Sequence, residues 1–190
     1  MEHGIVALPQ LRIQPFPPFT LSYRIMSATD SFPTGSWTLY FHDPEDSSWT
    51  ADSYKFIGTF RTFPDLWAAF QKIGESKILS GMFFMMKDPF PPLWENRSNI
   101  RGGSYCIKVP EKSAYETYAR YVTAGILNKI ANDAKNQIVG VSISPKKGFH
   151  ILKIWNTEAK AFHQITEVSV YGDNMLQSDI IYRPHVDQKM

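Results

Sequence analysis

Seven short segments of this chain carry the alternation or apolar crowding of β-strands, and no helix recurs regularly between them. They are SWTLYFH (36–42), YKFIGTF (54–60), GMFFMMK (81–87), SYCIKV (104–109), QIVGVSIS (137–144), FHILKIW (149–155) and DIIYRP (179–184). Such patterning sends successive side chains to opposite faces of a sheet. Two intervening segments carry helical signals instead. FPDLWAAFQKIG (63–74) offers Pro64 for a first turn, Asp65 near the positive end and Gly74 as a stop. PEKSAYETYARYVTAGILNKIAND (110–133) offers Ser113 as N-cap with Glu116 three residues on, and Tyr118, Val122, Ile126 and Ile130 recur at four-residue steps. Residues 157–172 are expected to be helical too, although their second half is β-branched. Strands without a βαβ rhythm, interrupted by about three helices, point to an α+β fold: one curved sheet with helices on one face.

The first 18 residues hold four of the 13 prolines and end in PFPPF, a composition that suits neither a helix nor a central strand. Residues 1–30 are therefore expected to form a flexible or surface-draped arm, and residues 31–190 a single domain. At 190 residues with 43% hydrophobic content, the chain can bury a substantial core. The N-terminus has neither a basic start nor a small-residue cleavage site, so secretion is not expected. No apolar run is long enough to span a membrane.

Charge and motifs narrow the chemistry. A formal net charge of +2 argues against a general nucleic-acid coat while leaving room for a small basic pocket. The single cysteine, Cys106, excludes an internal disulfide and is expected to be a buried thiol in a reducing compartment. The five histidines are scattered, and no HExxH, GxSxG, Walker A or GxGxxG pattern occurs. Asp43, Glu45 and Asp46 cluster beside Pro44 as a solvated turn would. Binding without catalysis is the expectation, with no cofactor and no metal.

The tryptophans say more. Trp37, Trp67 and Trp155 lie in regular elements, where the core is the default. Trp49 and Trp94 lie in polar, proline-flanked loops, HDPEDSSWTAD and PPLWENRSNIRGGSY. They either rest half-buried on a small apolar cluster or face each other as a clamp for a flat ring. A cationic ring suits a clamp best, because each indole face attracts positive charge. A carboxylate beside one of them, Glu95, could accept from guanine N1–H and N2–H₂. Arg101, Lys146, Lys147 and Lys153 could neutralise phosphates. The pattern points to a cationic guanine with a phosphate tail.

These segments, in this order, resemble the eukaryotic translation initiation factor 4E family, whose members bind the 5′ cap of messenger RNA. The resemblance runs from about Phe32 to Asp187. SWTLYFHDPEDSSWTAD is similar to the family's first strand and first cap-stacking tryptophan, Trp49. FPDLWAAFQKI is similar to its first helix with the dorsal tryptophan, Trp67. PLWENRSNIRGGSY matches the second cap tryptophan, the guanine-binding glutamate and the following arginine-glycine-glycine, here Trp94, Glu95 and Arg101 to Gly103. KIWN matches the tryptophan near the N7-methyl group, Trp155, and YRPHVD a late strand.

The resemblance implies a single curved antiparallel sheet of about eight strands, backed on its convex face by about three helices, with the cap in the concave face. It implies Trp49 and Trp94 as the stacking pair, Glu95 on the guanine edge, and Arg101, Lys146, Lys147 and Lys153 toward the phosphates. A convex partner-binding surface would comprise Phe63, Trp67, Val122 and Thr123. The implied partners are 7-methylguanosine-capped messenger RNA and an initiation factor 4G-like scaffold or a 4E-binding protein. A monomer in the cytoplasm is implied, with the nucleus compatible.

The sequence departs from the family at several places. Pro145 stands where the phosphate-binding hairpin has a basic residue, and the turn SPKKGFHILKIW is one residue longer. Lys153 nevertheless shares strand parity with Trp155. Val122 and Thr123 replace a leucine and an acidic residue on the convex side, and SFPT only loosely echoes the segment before the first strand. The alternative within the family is a cap-binding homologue that represses or sequesters messages without recruiting the scaffold. An enzyme acting on caps would need acidic metal ligands that the sequence lacks. A carrier of apolar ligands would leave Glu95 and Arg101 without purpose.

Overall fold

Strand alternation sorts the side chains of this protein into two unequal faces. The computed structural model describes residues 31–186. The arm expected over residues 1–30 lies outside them. Seven strands form one antiparallel sheet: β1 (Trp37–His42), β2 (Lys55–Phe60), β3 (Met82–Lys87), β4 (Gly103–Pro110), β5 (Ile138–Lys146), β6 (Phe149–Asn156) and β7 (Ile180–Pro184). Their order is β2-β1-β3-β5-β6-β4-β7. All seven expected strands are present, and the described residues hold seven rather than eight.

On the convex face, Trp37, Leu39, Phe83, Met85, Val141, Ile143, Leu152, Ile154, Ile107 and Val109 form the main core. Three helices cover it: α1 (Phe63–Ile73), α2 (Glu75–Ser80) and α3 (Glu111–Ile126). Helix α1 inserts Leu66 and Phe70, α2 inserts Ile78, and α3 inserts Ala114, Tyr118, Tyr121 and Val122. Complete burial of a side chain of this size contributes about 1.5–3 kcal/mol. Among the described residues, the opposite face has no helix. It carries a smaller cluster of Met82, Phe84, Met86, Val139 and Trp155, edged by Tyr40, Tyr54 and Phe90. A register shift between Ile138 and Gly140 lets Ile138 join the main core and Val139 the smaller one.

Local chemistry explains the helix boundaries. Thr62 caps α1, accepting from the Asp65 amide while its hydroxyl donates to the Asp65 carboxylate at 2.6 Å. Gly74, at φ +83°, ends α1. Helix α2, which the sequence reading lacked, starts directly after it. Helix α3 begins at Glu111 behind Pro110, and the expected capping box does not form. The Ser113 hydroxyl donates to the Pro110 carbonyl, and Glu116 pairs with Arg120. Helix α3 stops at Ile126, before Asn128 turns left-handed at φ +53°.

Residues 157–172 are not an α-helix. Val168 bridges Ala131, the Ser169 amide donates to the Ile130 carbonyl, and the Asn132 amide donates to Glu167. The β-branched second half is extended so that Val168 can enter the core beside α3; only a short 3-10 turn, Ile165–Glu167, interrupts it. Tertiary pairing outweighs helix propensity here.

Candidate functional site

The concave, helix-free face opens into a cleft of about 430 Å³ whose lining includes Trp49, Tyr54, Phe84, Trp94, Lys146, Lys153 and Trp155. A shallower recess of about 210 Å³ adjoins it and shares Trp94, Lys153 and Trp155. Its remaining walls are Ser104, Cys106, Arg183, Pro184 and His185.

The floor is rigid. Trp155 is 4% exposed and donates its indole N–H to the Ser142 hydroxyl at 3.0 Å. Phe84 meets it edge-on at 6.2 Å, and Tyr54 meets Phe84 edge-on at 5.2 Å. Burial, aided by the nearby negative charge of Glu95, pushes the Tyr54 hydroxyl up to about 12, so it stays a neutral phenol.

One wall hangs from the end of β1. Trp49 is 49% exposed in the segment between β1 and β2. Its indole lies parallel to the buried His42 ring at 4.2 Å and 8°. The acidic turn is self-contained: Asp43 accepts from the Glu45 amide at 3.0 Å and Asp46 from the Ser48 amide at 2.8 Å.

The opposite wall is the loop between β3 and β4, with Trp94 43% exposed. Buried Asn99 holds this loop from inside, donating through Nδ2 to the Pro91 carbonyl at 2.7 Å and the Leu93 carbonyl at 2.8 Å. His185 holds it from outside, because its Nδ1 lies 2.8 Å from the Asn99 carbonyl and so carries the proton. Its Nε2 then accepts from the Ser104 hydroxyl at 3.1 Å. Burial depresses the His185 imidazole, with Lys153 adding to the effect, while the Asn99 bond and Glu95 oppose it. A neutral ring satisfies both bonds. Gly102 and Gly103 let β4 start tightly against its neighbours, since a Cβ on Gly102 would sit 1.9 Å from the Asn156 carbonyl oxygen.

Cations gather on one side. Lys146 and Lys153 line the cleft, and Lys153 and Arg183 line the recess. Cys106 lies within the field of both Lys153 and Arg183, yet burial outweighs them and pushes its thiol up. The ion pairs among the described residues join Arg101 to Glu158 and Arg120 to Glu116 and Asp173. Among the described residues, Lys146, Lys153 and Arg183 therefore have no acidic partner. Among the described residues no group of three His, Cys, Asp or Glu side chains could hold a metal ion.

Trp49, Trp94, Trp155, Lys146 and Lys153 thus share one cleft. Glu95 is exposed at its rim, and its charge is felt at both Tyr54 and His185. Two expected phosphate residues do not join them. The Arg101 guanidinium is engaged by Glu158, and Arg101 lines neither cavity. Lys147 sits with Gly148 in the tight turn between β5 and β6, away from the cleft lining. Sequence reasoning missed His42, Tyr54, Arg183 and His185, although Arg183 and His185 stand in YRPHVD.

On the convex side, Phe63 and Trp67 stack with ring centroids 6.4 Å apart, and both are partly exposed. Val122 does not belong to that surface. It is fully buried between α3 and the sheet and cannot touch a partner. The Thr123 hydroxyl donates to the Ala119 carbonyl at 2.8 Å.

Comparison with known proteins adds a lineage to this geometry. The family model described as Eukaryotic initiation factor 4E matches residues 34–190. Eukaryotic translation initiation factor 4E of Bos taurus is 25% identical over 160 residues, covering 80% of this chain and 74% of that protein. The Dictyostelium discoideum protein of the same name is 26% identical over 162 residues, covering 80% and 63%. Initiation factor 4E-3 of Ascaris suum, solved in complex with an m7G cap, superposes with a TM-score of 0.62 at 18% identity, covering 82% of this chain and 92% of that one. The C. elegans 4E-3 protein, solved with the 4E-binding protein Mextli and a cap analog, gives 0.60 at 18% identity, covering 67% and 75%. At these identities the solved structures show a shared fold.

Proposed function

From the premise that the chain belongs to the eukaryotic initiation factor 4E family, we propose that it binds the 7-methylguanosine 5′ cap of messenger RNA, with the base stacked between Trp49 and Trp94. The observation that carries this reading is that two half-exposed loop tryptophans line one cleft over a buried third, beside cations that have no acidic partner among the described residues. Methylation at N7 gives guanine a positive charge, and an indole face attracts it. Stacking is worth about 1–3 kcal/mol per base. The Glu95 carboxylate accepts from N1–H and N2–H₂ at the guanine edge, Trp155 lies by the methyl group, and Lys146, Lys153 and Arg183 receive the phosphates. The protein acts by binding, not by catalysis. The m7G cap in the Ascaris suum complex and the cap analog in the C. elegans complex support this assignment.

The Phe63–Trp67 surface serves in the same reading as the docking face for a 4G-like scaffold or a 4E-binding protein, as supported by the Mextli complex of the C. elegans relative. A second reading is a homologue that holds capped messages without recruiting the scaffold. It is favoured by the withdrawal of Val122 into the core and the internal bond of Thr123, which leave α3 without the expected contacts.

Titration of intrinsic tryptophan fluorescence with 7-methyl-GTP and with GTP tests the reading. Strong quenching by the methylated ligand alone, lost in Trp94→Ala and reduced in Glu95→Ala, is expected. Equal responses to both ligands would overturn charge-selective stacking. Capture of partners by the wild type and by Trp67→Ala then separates recruitment from sequestration.

A further inference from the structure

Trp49 sits in a segment without regular structure, so something else must fix its ring. We propose that His42 is a positioning residue for Trp49: it covers one indole face and fixes the turn behind it, leaving the other face for the base. This inference rests on the reading of the cleft as a base-stacking site.

Three observations carry it. First, the His42 ring is fully buried and lies 4.2 Å from the Trp49 indole, only 8° from parallel. Second, its Nδ1 lies 2.9 Å from the Asp43 carbonyl oxygen and its Nε2 lies 2.7 Å from that of Ser48. Those carbonyls mark the two ends of the acidic turn, and Ser48 directly precedes Trp49. A carbonyl only accepts, so whichever nitrogen carries the hydrogen donates to one end of the turn. Third, Tyr54 meets the His42 ring at 5.0 Å and 62° and in turn meets Phe84, which touches Trp155. His42 therefore links the Trp49 wall to the buried floor through a continuous chain of rings. It is a histidine that touches no ligand itself, and its effect passes through Trp49.

Preorganising one side chain changes affinity by about three- to tenfold. The test is calorimetric titration of 7-methyl-GTP into the wild type, His42→Ala, Trp49→Ala and the double variant, a cycle that isolates coupling between the two positions. His42→Phe, which keeps a ring but loses both carbonyl contacts, replaces His42→Ala if the alanine variant does not fold by circular dichroism. The expected result is about three- to tenfold weaker binding by the His42 variant alone, a larger loss for Trp49→Ala, and no further loss in the double variant. A His42 loss that adds in full to the Trp49 loss, or no loss in the single variant, would overturn the positioning role while leaving the cleft assignment standing. Undiminished binding by Trp49→Ala would overturn both.

Discussion

Arg183 stands opposite Ser104 across the β4–β7 ladder, and its side chain enters the same recess as that of Lys153. The two cations come from strands on either side of β4, so they converge on one recess, and neither pairs with an acid among the described residues. Arg183→Ser and Lys153→Ser are each expected to weaken binding of 7-methyl-GTP by about fivefold, near 1 kcal/mol for an exposed charge pair, with little effect on 7-methylguanosine. Arg101→Ala, whose guanidinium is held by Glu158, should change neither. Equal losses for nucleotide and nucleoside would mean that these cations do not contact phosphate.

The start of β4 tolerates no side chain. A Cβ on Gly102 would lie 1.9 Å from the Asn156 carbonyl oxygen and 3.0 Å from the Thr157 Cα, both backbone atoms. Gly102→Ala should therefore cost about 3 kcal/mol through forced backbone displacement. For a domain of this size that lowers Tm by about 6–12 °C. A thermal melt indistinguishable from wild type would show that the strand can shift freely.

Burial depresses the His185 imidazole below its ordinary value. In the window beneath about 6.5, the usual histidine value, the unfolded chain takes up a proton that the folded chain refuses. Stability is then present above that value and falls as pH drops through the window toward the depressed native value. His185→Gln should flatten the fall in Tm between pH 7.5 and 5 relative to wild type. An unchanged slope would assign the loss to other groups.

Most of the sheet was legible because period-two patterning reports burial directly. Lys153 and Trp155 were assigned to one face by parity alone, and both line the cleft. Trp49 and Trp94 were singled out because a large ring in a polar loop has no local reason to be there. The failures have a common cause in long-range contacts. Residues 157–172 were given helical character locally, but Val168 is claimed by the core. Val122 was placed outward on the convex side by the family resemblance, although its own four-residue periodicity belongs to the buried stripe. Arg101 has the right charge for a phosphate, but Glu158, 57 residues away in the chain, engages it. His42 belongs to no ligand-binding motif, and YRPHVD marks His185 only as part of a late strand, since the work of both is hydrogen bonding to carbonyls that any sequence possesses.

The fastening of the Trp94 loop by His185 also sets an order of events during synthesis. Asn99 can grip Pro91 and Leu93 early, since all three lie within the same loop. The external tie waits for β7 and His185, which follow every other element of the sheet in the chain. A nascent polypeptide paused before residue 185 would carry all five tryptophans and still lack the external tie on the Trp94 loop. On the proposed function, ligand competence should therefore wait for β7 to dock on β4.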